Sequence, residues 1–140
     1  MTNFQIQFEE LKNLDLPPNQ FLVVGSGPMS IREIRDSEDI DVIVTLDLWN
    51  ELIRTYSVEP NSWGVERISI GDNIEILNPD QSIFSNSSII PVDDVHSQAD
   101  TFDGIKFLHL EHLKVFKKKL GREKDLRDIE LIDRYIHEQL

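Results

Sequence analysis

The sequence of 140 residues contains no cysteine. Disulfide bridges and thiolate metal sites are therefore excluded. Its apolar runs are short, and none approaches the ~20 residues that cross a bilayer. The N-terminal stretch MTNFQIQFEELKNL has no basic start followed by an apolar segment, so we expect no signal peptide. These absences favour a cytoplasmic protein that does not contact membranes.

Basic residues are scarce, with 14 Lys and Arg against 26 Asp and Glu, for a net charge of −12. Tight binding to DNA or RNA depends on many contacts from Lys and Arg to phosphate, so we expect no extended nucleic-acid binding. Seven of the 14 basic residues nevertheless fall within residues 114–127. That segment can still provide a local site for an anion.

The length and the hydrophobic periodicity predict one domain, residues 1–140, of α/β or α+β class. Strands are predicted at 21–25 and 39–45, followed by a hairpin over 65–77. Residues 78–104, rich in Asn, Ser, Asp and Pro, are predicted to be loop apart from the short SSIIPV. The predicted helices cover residues 3–13, 28–35, 46–56, 110–120 and 124–138, with Gly121 separating the last two.

Two carboxylates follow a glycine turn in the segment VVGSGPMSIREIRDSEDIDVIVT, residues 23–45. Alternation along a strand places Asp39 and Asp41 on one side and the intervening Ile40 on the other. Like charges ~7 Å apart repel unless a cation lies between them, and Mg²⁺ prefers oxygen ligands. A Gly-Ser-Gly turn before a helix exposes backbone N–H groups that suit phosphate. Together these features predict a site for a metal and a phosphorylated ligand.

Each feature taken alone has an ordinary structural explanation, because surface aspartates are commonly solvated and a Gly-Ser-Gly is commonly a tight turn. Other phosphate and metal motifs do not match. The sequence has no G-x-x-x-x-G-K-[ST], GSGPMS lacks the third glycine of a dinucleotide-binding loop, and DSEDID lacks the glycine and final glutamate of a calcium loop. His109 and His112, three residues apart, are interpreted as a surface pair at a helix start.

Residues 22–46, LVVGSGPMSIREIRDSEDIDVIVTL, resemble the signature of the nucleotidyltransferase superfamily, the polymerase-beta-like fold, in which a Gly-Ser loop precedes an Asp-x-Asp strand. Residues 104–133, GIKFLHLEHLKVFKKKLGREKDLRDIELID, are similar to the C-terminal helices of small stand-alone prokaryotic members. The resemblance implies a nucleotidyltransferase-like mixed β-sheet with helices packed on it and two helices at the C-terminus.

The resemblance also implies a set of site residues. Asp39 and Asp41 would bind Mg²⁺ or Mn²⁺, and a third acidic residue would complete the metal site and help to deprotonate an acceptor. Glu75 fits this position, although the family more often has aspartate there and Asp72 is a rival. The nucleotide would be held by Gly25, Ser26, Gly27, Lys117 and Lys124, while Asp125 and Asp128 would orient the lysines or Arg122.

The activity implied is transfer of a nucleoside monophosphate from an NTP to a hydroxyl group of a small-molecule or protein acceptor. The alternative is a catalytically weak or inactive module, similar to an antitoxin, that acts through a partner protein or as a homodimer. The absence of an obvious separate acceptor-binding domain favours this alternative. A plain structural domain is the third interpretation, and the paired motifs argue against it.

Overall fold

The computed structural model describes residues 2–140, in which seven strands form one mixed sheet covered by six helices. The predicted mixed α/β class is confirmed. The strands are β1 (Phe21–Val24), β2 (Ile40–Val44), β3 (Glu59–Pro60), β4 (Glu66–Ile70), β5 (Ile74–Leu77), β6 (Asp100–Phe102) and β7 (Ile105–Phe107). The helices are α1 (Asn3–Asn13), α2 (Gly27–Ser30), α3 (Leu46–Leu52), α4 (Val92–Ser97), α5 (Leu110–Leu120) and α6 (Glu123–Glu138). Within residues 2–140, no helix has the length and apolar character needed to span a membrane.

The order of strands across the sheet is β3-β4-β5-β2-β1-β7-β6. Strand β2 runs antiparallel to β1 and parallel to β5, so the C-terminal end of β1 meets the N-terminal ends of β2 and β5. Val24 therefore pairs with Asp41, and Asp41 pairs with Glu75. This topology brings the glycine turn and the acidic residues to one end of the sheet.

Two hydrophobic cores lie on opposite faces of the sheet. Helices α1 and α3 cover one face, where Ile40, Val42 and Val44 of β2 are buried. Helices α2, α4, α5 and α6 contribute to the other core, which contains Ile43 of β2. Asp41 alternates with its apolar neighbours and therefore points to the same face as Ile43.

The prediction of loop over most of residues 78–104 is wrong in part, because α4 and β6 form within that segment. Strand β6 pairs with β7, which joins the sheet by parallel pairing of Phe107 with Val23, and Val95 of α4 is fully buried. Helix α4 and the hairpin that contains β6 are both fixed by long-range contacts, so the polar composition of the segment did not reveal them. The two-residue strand β3 was also not predicted.

Two predicted helices are shorter than expected. Helix α2 ends at Ser30, and Glu33 adopts a left-handed φ of 62°, which ends the predicted 28–35 helix. Helix α3 ends at Leu52 and turns replace the predicted final segment up to residue 56. The helices predicted at 3–13, 110–120 and 124–138 are found with nearly the same bounds.

Candidate functional site

The turn after β1 places a glycine backbone against the carboxylate of Asp41. Gly25 has a φ of 66°, a left-handed conformation that glycine adopts without strain. A Cβ atom at this position would lie 2.6 Å from Oδ2 of Asp41. Both the backbone conformation and the space available therefore require glycine here, and the close approach leaves the main chain open beside the carboxylate.

Asp39, Asp41 and Glu75 line one cavity of about 630 Å³. Asp41 and Glu75 are register partners on the neighbouring parallel strands β2 and β5, and Asp39 is exposed just before β2. Asp72, the rival third acidic residue, is exposed in the β4–β5 turn and does not line this cavity. The structure therefore groups Glu75, and not Asp72, with the two aspartates.

The carboxylates in the cavity destabilise one another's charged forms. Burial raises the pKa of Asp41 to about 7, with further contributions from the charges of Glu75 and Asp39 and a hydrogen bond with Glu75. Burial and the charges of Glu75 and Glu38 also raise the pKa of Asp39. The positive charges of Lys117 and Arg67 oppose these shifts only in part. The cluster therefore favours a bound cation.

Lys117 lies at the cavity wall, where its ammonium group is held by two acidic residues of α6. Its Nζ atom is 2.8 Å from Oδ2 of Asp128 and 3.7 Å from Oδ1 of Asp125. Asp128 also accepts two hydrogen bonds of 2.8 Å from the guanidinium group of Arg35. The contacts predicted for Asp125 and Asp128 are therefore present, and they fix the position of the buried Lys117 side chain.

The turn between α5 and α6 brings two more basic residues to the cavity. Gly121 ends α5 with a left-handed φ of 66°, which allows α6 to begin immediately at Glu123. Arg122 donates hydrogen bonds of 2.6 and 3.0 Å to Asp125, whereas Lys124 is exposed and also lines the cavity. Lys124 thus presents its charge to solvent at the cavity mouth.

Only one of the three turn residues proposed to bind nucleotide lines the cavity. Gly25 does so, but Ser26 and Gly27 are not among the lining residues. Ser26 precedes α2 without a capping hydrogen bond from its side chain, and Gly27 is buried against Val23, which leaves no room for a Cβ atom. Close packing of α2 on β1 accounts for the second glycine of the motif.

The lining residues that the sequence analysis did not single out include Arg67 and Trp63. Arg67 of β4 forms an ion pair with Glu75, and Trp63 lies in the β3–β4 turn. Ser69 is the register partner of Glu75, so Arg67, two residues away, is its diagonal neighbour on the same face. The hairpin periodicity could have identified Arg67, whereas nothing local in the sequence indicates where Trp63 lies.

The donor set suits a hard cation because Asp39, Asp41 and Glu75 all supply carboxylate oxygens. As they stand, however, no three or more His, Asp or Glu side chains of residues 2–140 are grouped closely enough to hold a metal ion. Glu75 is engaged with Arg67 in this arrangement. A metal would therefore bind with a side-chain adjustment at Glu75.

His109 accepts a hydrogen bond from the backbone of Glu111 and caps α5.

The chain matches no protein-family model and no curated protein. A carboxylate cluster beside an open glycine backbone lines the cavity, together with lysines from the α5–α6 junction and the exposed ring of Trp63.

Proposed function

We propose that this protein is a cytoplasmic, Mg²⁺- or Mn²⁺-dependent nucleotidyltransferase that moves a nucleoside monophosphate from an NTP to an acceptor hydroxyl group, with release of pyrophosphate. The acceptor is a small molecule or a protein. One observation carries the proposal: Gly25 approaches the carboxylate of Asp41, which pairs with Glu75 in a cavity bordered by basic residues. The resemblance of residues 22–46 to the superfamily signature supports the same activity.

The proposed roles follow from the positions of the side chains. Asp39, Asp41 and Glu75 would hold the metal, which when bound supplies positive charge to the reacting phosphate. Glu75 would also accept the proton of the acceptor hydroxyl. The backbone around Gly25 would bind the terminal phosphates, and Lys117 and Lys124 would stabilise their negative charge.

The test is incubation with each α-labelled NTP, Mg²⁺ or Mn²⁺, and a set of small molecules and proteins from a cell lysate. We expect label on an acceptor and a loss of at least about 100-fold with Asp41→Asn or Glu75→Gln. Asp72→Asn is the matched control and should retain activity. Equal activity in wild type and Glu75→Gln would contradict the assignment of the third acidic residue.

A nucleotide-binding module without transfer activity is the second candidate, and the ion pair between Arg67 and Glu75 favours it. Arg67 offsets the charge of the carboxylate that would complete the metal site. Calorimetry separates the two functions, because a module of this kind would bind an NTP while no acceptor becomes labelled. Detection of labelled acceptor with the wild-type protein would exclude this second candidate.

A further inference from the structure

An exposed tryptophan is presented to the cavity by a well-defined turn. The side chain of Trp63 is 64% exposed, a large exposure for an aromatic ring that contacts no other aromatic residue in the described part of the chain. The Oδ1 atom of Asn61 accepts hydrogen bonds from the backbone N–H of Trp63 (2.8 Å) and Val65 (3.0 Å). Gly64 closes the turn with a φ of 77°. The backbone that carries the ring is therefore held in place.

A second flat group packs on one face of this ring at the cavity mouth. The guanidinium carbon of Arg122 lies 5.1 Å from the centroid of the Trp63 ring. Two hydrogen bonds to the fully buried Asp125 fix the guanidinium plane and offset its charge. Arg122 thus supports one face of the Trp63 ring, while the exposed Lys124 is available for phosphate.

The cavity combines the two kinds of surface that a nucleoside triphosphate presents. Gly25, Asp41 and Lys117 provide polar groups suited to a metal and phosphates. Trp63, backed by Arg122, provides a flat surface. Apolar side chains also line the cavity, namely Val65, Leu77, Ile83, Phe84, Leu113 and Leu120. The volume of about 630 Å³ is in the range of sites that enclose small ligands.

We propose that Trp63, supported on one face by Arg122, binds the base on its exposed face and that the substrates are purine nucleoside triphosphates. This inference rests on the proposed function. Purines present a larger π surface for stacking than pyrimidines do. Two polar groups near Trp63 are already engaged, because Asn61 Oδ1 accepts hydrogen bonds within its own turn and Gln81 bonds to the backbone and side chain of Glu66. Stacking without hydrogen-bond readout therefore selects purines but does not separate ATP from GTP.

Calorimetry in the presence of Mg²⁺ tests this with ATP, GTP, CTP, UTP and inorganic tripolyphosphate as probes. We expect ATP and GTP to bind about equally and several-fold more tightly than CTP and UTP. Trp63→Ala should weaken ATP binding about tenfold and leave tripolyphosphate binding unchanged, because only the base contacts the ring. Trp63→Phe should retain most of the affinity for ATP. Ile53→Ala, at an exposed residue after α3, is the matched control and should bind as wild type.

The outcomes separate this inference from the proposed function. If wild type binds ATP and Trp63→Ala binds it equally well, the base subsite is wrong while the proposed function stands. Equal losses of ATP and tripolyphosphate binding in Trp63→Ala would also overturn the subsite, since Trp63 would then support the phosphate end. If the wild-type protein binds neither ATP nor tripolyphosphate, the proposed function fails and the subsite fails with it.

Discussion

The molecule has two groups of neighbouring carboxylates, which differ in their electrostatics. One is Asp125 and Asp128 of α6, and the other is Asp39, Asp41 and Glu75 in the cavity. Burial alone would raise the pKa of Asp128, but hydrogen bonds from Arg35 and Lys117 outweigh it and lower the pKa. Hydrogen bonds from Arg122 likewise outweigh burial and lower the pKa of Asp125. In the cavity, burial and neighbouring carboxylates instead raise the pKa of Asp41 to about 7.

The number of basic side chains paired with each group explains the difference in the direction of the pKa shifts. Arg35, Lys117 and Arg122 serve the two aspartates of α6, whereas Arg67 is the ion-pair partner within the group of Asp39, Asp41 and Glu75. A carboxylate whose charge is matched within the protein holds structure together. A carboxylate cluster whose charge is not matched has a reason to bind a cation from solution.

The largest expected effect is a loss of folding stability when a charge is removed from Asp125 and Asp128, the group whose charge is matched within the protein. Asp128→Asn removes the partner of Arg35 and leaves Lys117, whose side chain is only 8% exposed, with a weaker contact. We expect urea unfolding to show a loss of about 3–5 kcal/mol, the usual cost of breaking a buried ion pair. Asp133→Asn is the matched control, because the pair of Asp133 with Lys114 is on the surface and should cost less than about 1 kcal/mol. Similar losses in both variants would contradict the proposed structural role of Asp128.

A smaller effect of opposite sign, a gain in folding stability, is expected when a charge is removed from the unmatched group in the cavity. The folded-state pKa of Asp41, about 7, lies above its ordinary value of 3.8, so the folded protein binds more protons between these values. Wild-type stability should therefore fall as the pH rises through this window and stay low above it. Asp41→Asn removes this dependence and can still donate a hydrogen bond to Glu75.

The Asp41→Asn variant should be more stable than wild type by about 2 kcal/mol above pH ~7 in the absence of divalent cations. Urea unfolding at a series of pH values measures the difference. Asp72→Asn, at an exposed turn, serves as the control and should follow the wild-type profile. Parallel profiles for wild type and Asp41→Asn would show that Asp41 carries no unfavourable charge.

The smallest expected effect concerns the cation itself. Millimolar Mg²⁺ should stabilise the wild type by about 1 kcal/mol above pH ~7 and tighten NTP binding, because it binds the ionised carboxylates. Thermal unfolding and calorimetry measure the two effects. Both should be lost in Asp39→Asn and Asp41→Asn and kept in Asp72→Asn. Stabilisation that persists in the two site variants would place the cation elsewhere.

Local pattern predicted a large part of the fold and part of the site. The apolar residues on either side of Asp41 and Glu75 determine which face each carboxylate occupies, since side chains alternate along a strand. Arg67 follows from the same alternation in the neighbouring strand. The strands of the β6–β7 hairpin could not be predicted, because three residues in each strand carry too little pattern without the pairing of β7 to β1.

The sequence by itself determined the mixed α/β class, the glycine turn, the alternation that sets the face of Asp41, and the acidic net charge. Tertiary structure decided which charges meet. It placed Glu75 beside Asp41 and paired Asp128 with Lys117 and Arg35. It also packed Trp63 against Arg122, which lies 59 positions away in the sequence. The physical reason is that strand and helix periods act over a few residues, while charge pairing depends on which distant segments the sheet order brings within a few ångströms.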